Sequence, residues 1–165
     1  STMDAKDWLL LRILEEDGRM DVREIASLAD LDEEEVESRI RALEESGVIR
    51  AYCASIDWEK AGEDTAAATV NLKVNPERDF GYDRIAERIA RFPQVRSLRL
   101  ISGVYDFELL ITGRNLQEIT RFVSEEIATL DQIRETATIL VMKTYKENGR
   151  ILFERKEGER LPFSF

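Results

Sequence analysis

The sequence predicts an α+β chain in two parts, an N-terminal three-helix winged helix-turn-helix domain and a C-terminal βαββαβ ferredoxin-like unit. Three observations predict it. Apolar residues recur at helical spacing in three short stretches before residue 47. Beyond residue 64, alternating stretches and helical stretches succeed one another in the order βαββαβ. Charge also changes character along the chain. Residues 1–60 hold 17 Asp+Glu against 8 Lys+Arg and residues 61–165 hold 17 against 16, so nearly all of the net −10 lies in the first third. Such a step marks a domain boundary near residue 60.

The elements follow in order. Trp8, Leu9, Leu11, Ile13 and Leu14 define a first helix with Asp4 as its N-cap. Asp17-Gly18 ends it, Gly18 suiting the left-handed position after a helix. A second helix spans Val22 to Ala29 with Ile25, Ala26 and Leu28 inward, and Asp30–Leu31 makes a tight turn. Asp32 opens a third helix, and Asp32 and Glu35 have capping-box spacing. Its packing residues are Val36, Ile40 and Leu43, followed by Val48 and Ile49. Gly47 stops it, and "VIRAYCASI" reads as the strand of a wing. In such a domain the third helix enters the major groove of DNA.

After the linker, "TAAATVNLKVN" alternates as a strand with Val70, Leu72 and Val74 on one face. "FGYDRIAERIARF" is an amphipathic helix with Ile85, Ala86, Ile89 and Phe92 inward, closed by Pro93. "QVRSLRLIS" and "VYDFELLIT" are strands around a turn at Ser102-Gly103. "NLQEITRFVSEEIATL" is a helix capped at Asn115, with Leu116, Ile119, Phe122, Val123 and Ile127 inward, and "RETATILVMKTY" is the last strand. Two helices cover one face of such a sheet. The other presents a half-apolar mixture (Thr69, Asn71, Lys73, Arg99, Ile101, Glu108), the kind of face that a partner sheet covers. Asn148-Gly149 signals a two-residue hairpin, and the apolar Leu161, Phe163 and Phe165 are expected to dock on a neighbouring subunit. The expected domains are 3–52 (helix-turn-helix), 53–64 (linking strand or hinge), 65–145 (ferredoxin-like unit) and 146–165 (hairpin and apolar tail).

Composition excludes several functions. There is no histidine, which removes the usual general base and the commonest transition-metal ligand. Cys53 is the only cysteine, so an intramolecular disulfide is impossible. Hydrolases built on Ser-His-Asp or Cys-His are excluded. No catalytic residue, metal site or cofactor is expected, and no apolar run approaches the ~20 residues of a membrane span. Without a cationic, apolar leader at its start the chain reads as cytoplasmic.

The stretch "DGRMDVREIASLADLDEEEVESRIRALEESGVIRAYCASID" resembles the N-terminal domain of the Lrp/AsnC, or feast/famine, transcriptional regulators. The matching features run from Asp17-Gly18-Arg19 through Ile25-Ala26, Leu31, Val36, Arg39-Ile40 and Leu43-Glu44 to Gly47-Val48-Ile49. "SGVYDFELLITG" and "ETATILVMKTYK" are similar to that family's C-terminal RAM domain, the former through its G-x-Y-D element at Gly103, Tyr105 and Asp106. The resemblance spans about nine-tenths of the chain. It implies a transcriptional regulator that binds double-stranded DNA and responds to an amino-acid effector. It further implies sheet-to-sheet homodimers, rings such as octamers, and a ligand held between subunits. It places Arg39 at a phosphate and the effector at Ser102, Gly103, Tyr105 and Asp106. Ser38, Arg41 and Arg50 are the other expected DNA contacts, and Glu34 and Glu37, which depart from the family's usual Ser, Thr, Pro or basic residues there, can read the cytosine amino group.

Chemistry supports parts of that implication and opposes one. A glycine turn bares amide N–H groups suited to an α-carboxylate, and a nearby aspartate can hold an α-ammonium. Locally, Gly103 could equally make the hairpin and Asp106 pair within its own chain. The third helix, however, begins with Asp32, Glu33, Glu34 and Glu35 and continues to Glu37. First-turn acids suit the helix dipole, yet a carboxylate about 4 Å from a phosphate costs on the order of 1 kcal/mol even in water. DNA binding is therefore weakened per head and restored by linking several heads, which yields roughly 10²–10⁴ in avidity. Alternatively, the acidic helix no longer reads DNA and docks a protein partner. Arg39 either reaches a phosphate or pairs with Glu35 one turn away.

Overall fold

The computed structural model describes residues 2–154 and divides the chain between Ile56 and Asp57 into two units. The first unit contains α1 (Ala5–Glu16), α2 (Val22–Ala29) and α3 (Glu33–Glu45). Asp4 caps α1 as expected, and in a full capping box: its carboxylate accepts from the Asp7 amide while the Asp7 carboxylate accepts from the Asp4 amide, both at 3.0 Å. Asp21 caps α2, and Asp30 turns left-handed after it at φ 53°. Leu10, Ile25, Ala26, Ala29 and Val36 are buried together, joined by the partly buried Leu9, Ile13, Leu14 and Ile40.

Several expectations for this unit need correction. Leu28 is exposed and Ala29 takes the buried position, because a helix of eight residues turns only one narrow stripe inward. Trp8 and Val48 are also exposed. Gly18 is not left-handed. A Cβ there would lie 3.2 Å from the Tyr52 ring, so this glycine makes room for an aromatic side chain. Asp32 makes no side-chain cap bond, and the Glu35 carboxylate accepts from Arg39, so the expected capping box does not form. Gly47 does stop α3, at φ +78°, with the Ile49 amide donating back to the Leu43 carbonyl at 3.0 Å. The wing strand over 48–56 is absent. Residues 50–57 carry no regular secondary structure, because a strand exists only within a ladder and no described segment pairs with them.

The second unit contains β1 (Ala66–Val74), α4 (Asp83–Ala90), β2 (Val95–Leu100), β3 (Phe107–Gly113), α5 (Leu116–Phe122) and β4 (Ile133–Leu140). The sheet order is β2-β3-β1-β4 with every pair antiparallel, the ferredoxin-like arrangement. Alternation in β1 buries Ala68, Val70, Leu72 and Val74, and β3 adds Phe107, Leu109 and Ile111. Ile85 and Ile89 of α4 and Ile119 and Phe122 of α5 close over that face. Asn115 caps α5 by accepting from the Glu118 amide at 2.8 Å. The helix widens into a π turn over Val123–Ile127, which keeps Val123 and Ile127 buried. Leu116, expected inside, lies in the first turn and is exposed, and β4 ends at Leu140 rather than running to Tyr145.

The uncovered face follows from the register. Lys73 stands opposite Glu135, Asn71 lies between Glu108 and Ala137, and Thr69 lies between Leu110 and Ile139. Arg99 pairs with Glu108 across β2 and β3. Ile139 is exposed at 54%. Beyond β4, the strands β5 (Lys146–Glu147) and β6 (Arg150–Ile151) form the expected hairpin, with Asn148 and Gly149 at φ 49° and 80°, the signs a type I′ turn requires. Lys60 pairs with Glu154 beside it. Leu161, Phe163 and Phe165 lie outside the described residues. Among the described residues, no helix is long and apolar enough to cross a membrane.

Candidate nucleic-acid interface and effector element

On α3 the buried stripe of Val36, Leu43 and the half-buried Ile40 leaves the opposite face in solvent. Glu34, Glu37, Ser38 and Arg41 lie on that exposed face, at the i, i+3, i+4 and i+7 spacing that aligns side chains along a helix. Arg50, also exposed, follows in the unpaired segment. Five of the six expected DNA-contact residues are thus open to solvent, four of them in one row.

Arg39 is placed differently. Its guanidinium is held by three carboxylates: Asp4 at 2.7 Å, Asp7 at 3.1 Å and Glu35 at 2.9 Å. Hydrogen bonding, first to Asp4 and then to Glu35, raises its pKa, and the same contact with Arg39, followed by the Asp7 amide, lowers that of Asp4. The intrahelical pair with Glu35 therefore forms, and it extends to the start of α1. Any phosphate approaching Arg39 would compete with three carboxylates. Asp4 and Asp7 are neighbours of Arg39 that the sequence did not reveal, since they lie 35 and 32 residues away and no local spacing links them. Another unforeseen contact fixes the segment leaving α3. Tyr52 packs its ring on Gly18, and burial together with a hydrogen bond to Glu44 raises its pKa.

In the second unit, Ser102, Gly103 and Val104 form an exposed turn between β2 and β3, with Gly103 at φ +127°. Tyr105 and Asp106 are half-buried. The Ile101 amide donates to the Asp106 carbonyl at 2.8 Å, closing the turn. The Asp106 carboxylate accepts from the Val74 amide at 2.9 Å and faces the Tyr82 hydroxyl at 3.5 Å. It thus ties the end of β1 and the start of α4 to this turn. A carboxylate has about four acceptor positions, so a ligand ammonium would share Asp106 with Val74 and Tyr82. Tyr105 makes no hydrogen bond to Asp106, and the tyrosine that does face it, Tyr82, had no sequence signal. A small cleft elsewhere in this unit is lined by Arg88, Phe92, Glu126, Thr129, Leu130 and Asp131.

Comparison with known proteins decides what these two units are. Residues 3–44 match the AsnC-type helix-turn-helix domain, and residues 67–151 match the Lrp/AsnC ligand binding domain.

The chain belongs to the Lrp/AsnC family.

A Bacillus subtilis family member, the uncharacterized HTH-type transcriptional regulator YugG, is 39% identical over 163 residues, covering 98% of each chain. The leucine-responsive regulatory protein of Rhizobium meliloti is 34% identical, covering 88% of this chain and 92% of its own. Among solved structures, an AsnC family transcriptional regulator from Agrobacterium tumefaciens is 27% identical with a TM-score of 0.76, covering 91% of this chain and 97% of that one. Its architecture is the Lrp/AsnC one throughout. These likenesses to helix-turn-helix regulators give no support to a protein-docking role for α3 in place of DNA.

Proposed function

We propose that this chain is a DNA-binding transcriptional regulator that responds to an amino acid or related small effector through ligand-biased assembly. The observation that carries the reading is the pairing of an AsnC-type helix-turn-helix match with an Lrp/AsnC ligand-binding match in one chain. The row Glu34, Glu37, Ser38 and Arg41, with Arg50, meets DNA, and Arg39 orients α3 from behind. The Gly103 turn receives the effector's α-carboxylate, and Asp106 shares its remaining acceptor positions with the α-ammonium. The protein acts as a homodimer or larger ring through the open sheet face of Thr69, Leu110 and Ile139. Effector binding shifts that packing, and with it the spacing of the reading helices. Its role is regulatory, not enzymatic.

The test is fluorescence anisotropy with duplex DNA from its own upstream region, at low and moderate salt. The reading expects affinity that falls steeply as salt rises. Absence of binding below tens of micromolar at low salt overturns it. A thermal-shift screen of the twenty amino acids should yield a stabilising ligand, and a flat screen would remove the effector part.

A further inference from the structure

We infer that α3 selects DNA through the exocyclic amino groups of cytosine, with Glu34 and Glu37 as the accepting groups and Arg41 set against guanine. This rests on the DNA-binding reading above and adds which bases are read. Glu34, Glu37, Ser38 and Arg41 share one exposed face, opposite the stripe that packs inward. From residue 34 to residue 41 a helix rises about 10 Å, close to three base-pair steps of ~3.4 Å. The row is therefore matched to about four successive base pairs, three steps, of a major groove.

Its chemistry restricts which ones. Among the described residues, neither Glu34 nor Glu37 has an ion-pair partner, whereas Glu35 is occupied by Arg39. Locking Arg39 among Asp4, Asp7 and Glu35 also leaves Arg41 as the other arginine of α3. A carboxylate is acceptor-only. Guanine offers it two acceptors, and thymine an acceptor and a methyl group. Adenine offers a donor next to an acceptor. Cytosine alone presents a donor without an adjoining acceptor on its major-groove edge. The same carboxylates repel phosphates, so they depress binding to all other sequences. A row that weakens general attachment while accepting from cytosine raises the ratio of specific to non-specific binding. Arg41, a bidentate donor, takes guanine O6 and N7.

The experiment is in vitro selection of random duplexes by the full chain at low salt, in parallel for the wild type, Glu34→Gln and Glu37→Gln. The wild type should enrich cytosines within a short G·C-rich core, and replacing a contacted C·G pair by T·A should weaken binding about tenfold or more. Glutamine prefers adenine through its bidentate contact with N6 and N7. Each Gln variant should therefore move one selected position from cytosine to adenine and leave the others unchanged, a readout that lost stability would not produce. Enrichment without cytosine preference, or identical selected sequences for all three proteins, overturns the inference while leaving DNA binding intact. Failure of the wild type to retain any duplex overturns both.

Discussion

Asp106 gives the sharpest quantitative prediction, because its carboxylate has a structural duty that any sensing role must share. It accepts from the Val74 amide at 2.9 Å in a part-buried setting, just where the register between β1 and β4 shifts at Lys73 and Val74. Replacing Asp106 by Ala strands that amide, and an unsatisfied buried donor costs about 1–3 kcal/mol. Asp106→Asn keeps an oxygen acceptor but gives up the extra strength of a charged one, a difference of about 1 kcal/mol. For a domain of roughly 60–100 residues each kcal/mol shifts Tm by about 4–8 °C. Asp106→Ala should therefore lower the melting temperature of the second unit by on the order of 10 °C, and Asp106→Asn by about half as much. The assay is thermal unfolding of both variants beside the wild type, without added amino acids. An Asp106→Ala melt within 2 °C of wild type, taking that margin as roughly a quarter of one kcal/mol's upper shift, would refute the bracing role. The Asn variant is then the proper probe of effector binding, since it removes the charge proposed to hold an α-ammonium while sparing most of the fold.

Other outcomes follow from the same structure. Replacing Glu33, Glu34 and Glu37 together by Gln should tighten binding to random duplex, by roughly fivefold for each carboxylate that stood about 4 Å from a phosphate, as anisotropy at low salt would show. Leu72→Ala, at a fully buried position of β1, should cost the second unit about 2–5 kcal/mol in urea unfolding. Gly47→Ala forces a side chain into φ +78° and should destabilise the helix-turn-helix by roughly 1–2 kcal/mol in the same assay. Asp4 has its pKa lowered from the usual 3.8, chiefly by Arg39. Its stabilising contribution is therefore complete above the unfolded value and is lost as pH falls below about 4 through the folded one. Asp4→Asn should flatten that acid-side loss in circular dichroism melts, and unchanged pH profiles would contradict it.

Much of this molecule was legible where local chemistry and pattern agree. The period-2 alternation of Val70, Leu72 and Val74 fixed a buried strand face, and Asn115 and Asn148-Gly149 announced a cap and a hairpin through short-range backbone chemistry. Helix faces were less legible at the ends of short helices, where Leu28 and Leu116 fit the spacing but lie beyond the reach of the core. The stretch 48–56 has strand composition and no strand, because pairing depends on what lies beside it and not on its own residues. The site itself was half readable. Exposure of Glu34, Glu37, Ser38 and Arg41 follows from the packing stripe, but the capture of Arg39 by Asp4 and Asp7, and of Asp106 by Val74 and Tyr82, joins residues distant in sequence. Such contacts leave no local periodicity to read.

On the proposed function, association of chains, and not the charge of any single reading head, supplies the hold on DNA. Sedimentation velocity of the full chain with fluorescent upstream duplex, at micromolar protein and low salt, tests it directly. The account predicts a dimer or larger species without DNA and duplex sedimenting with at least two chains. Free duplex beside a monomeric protein would contradict it.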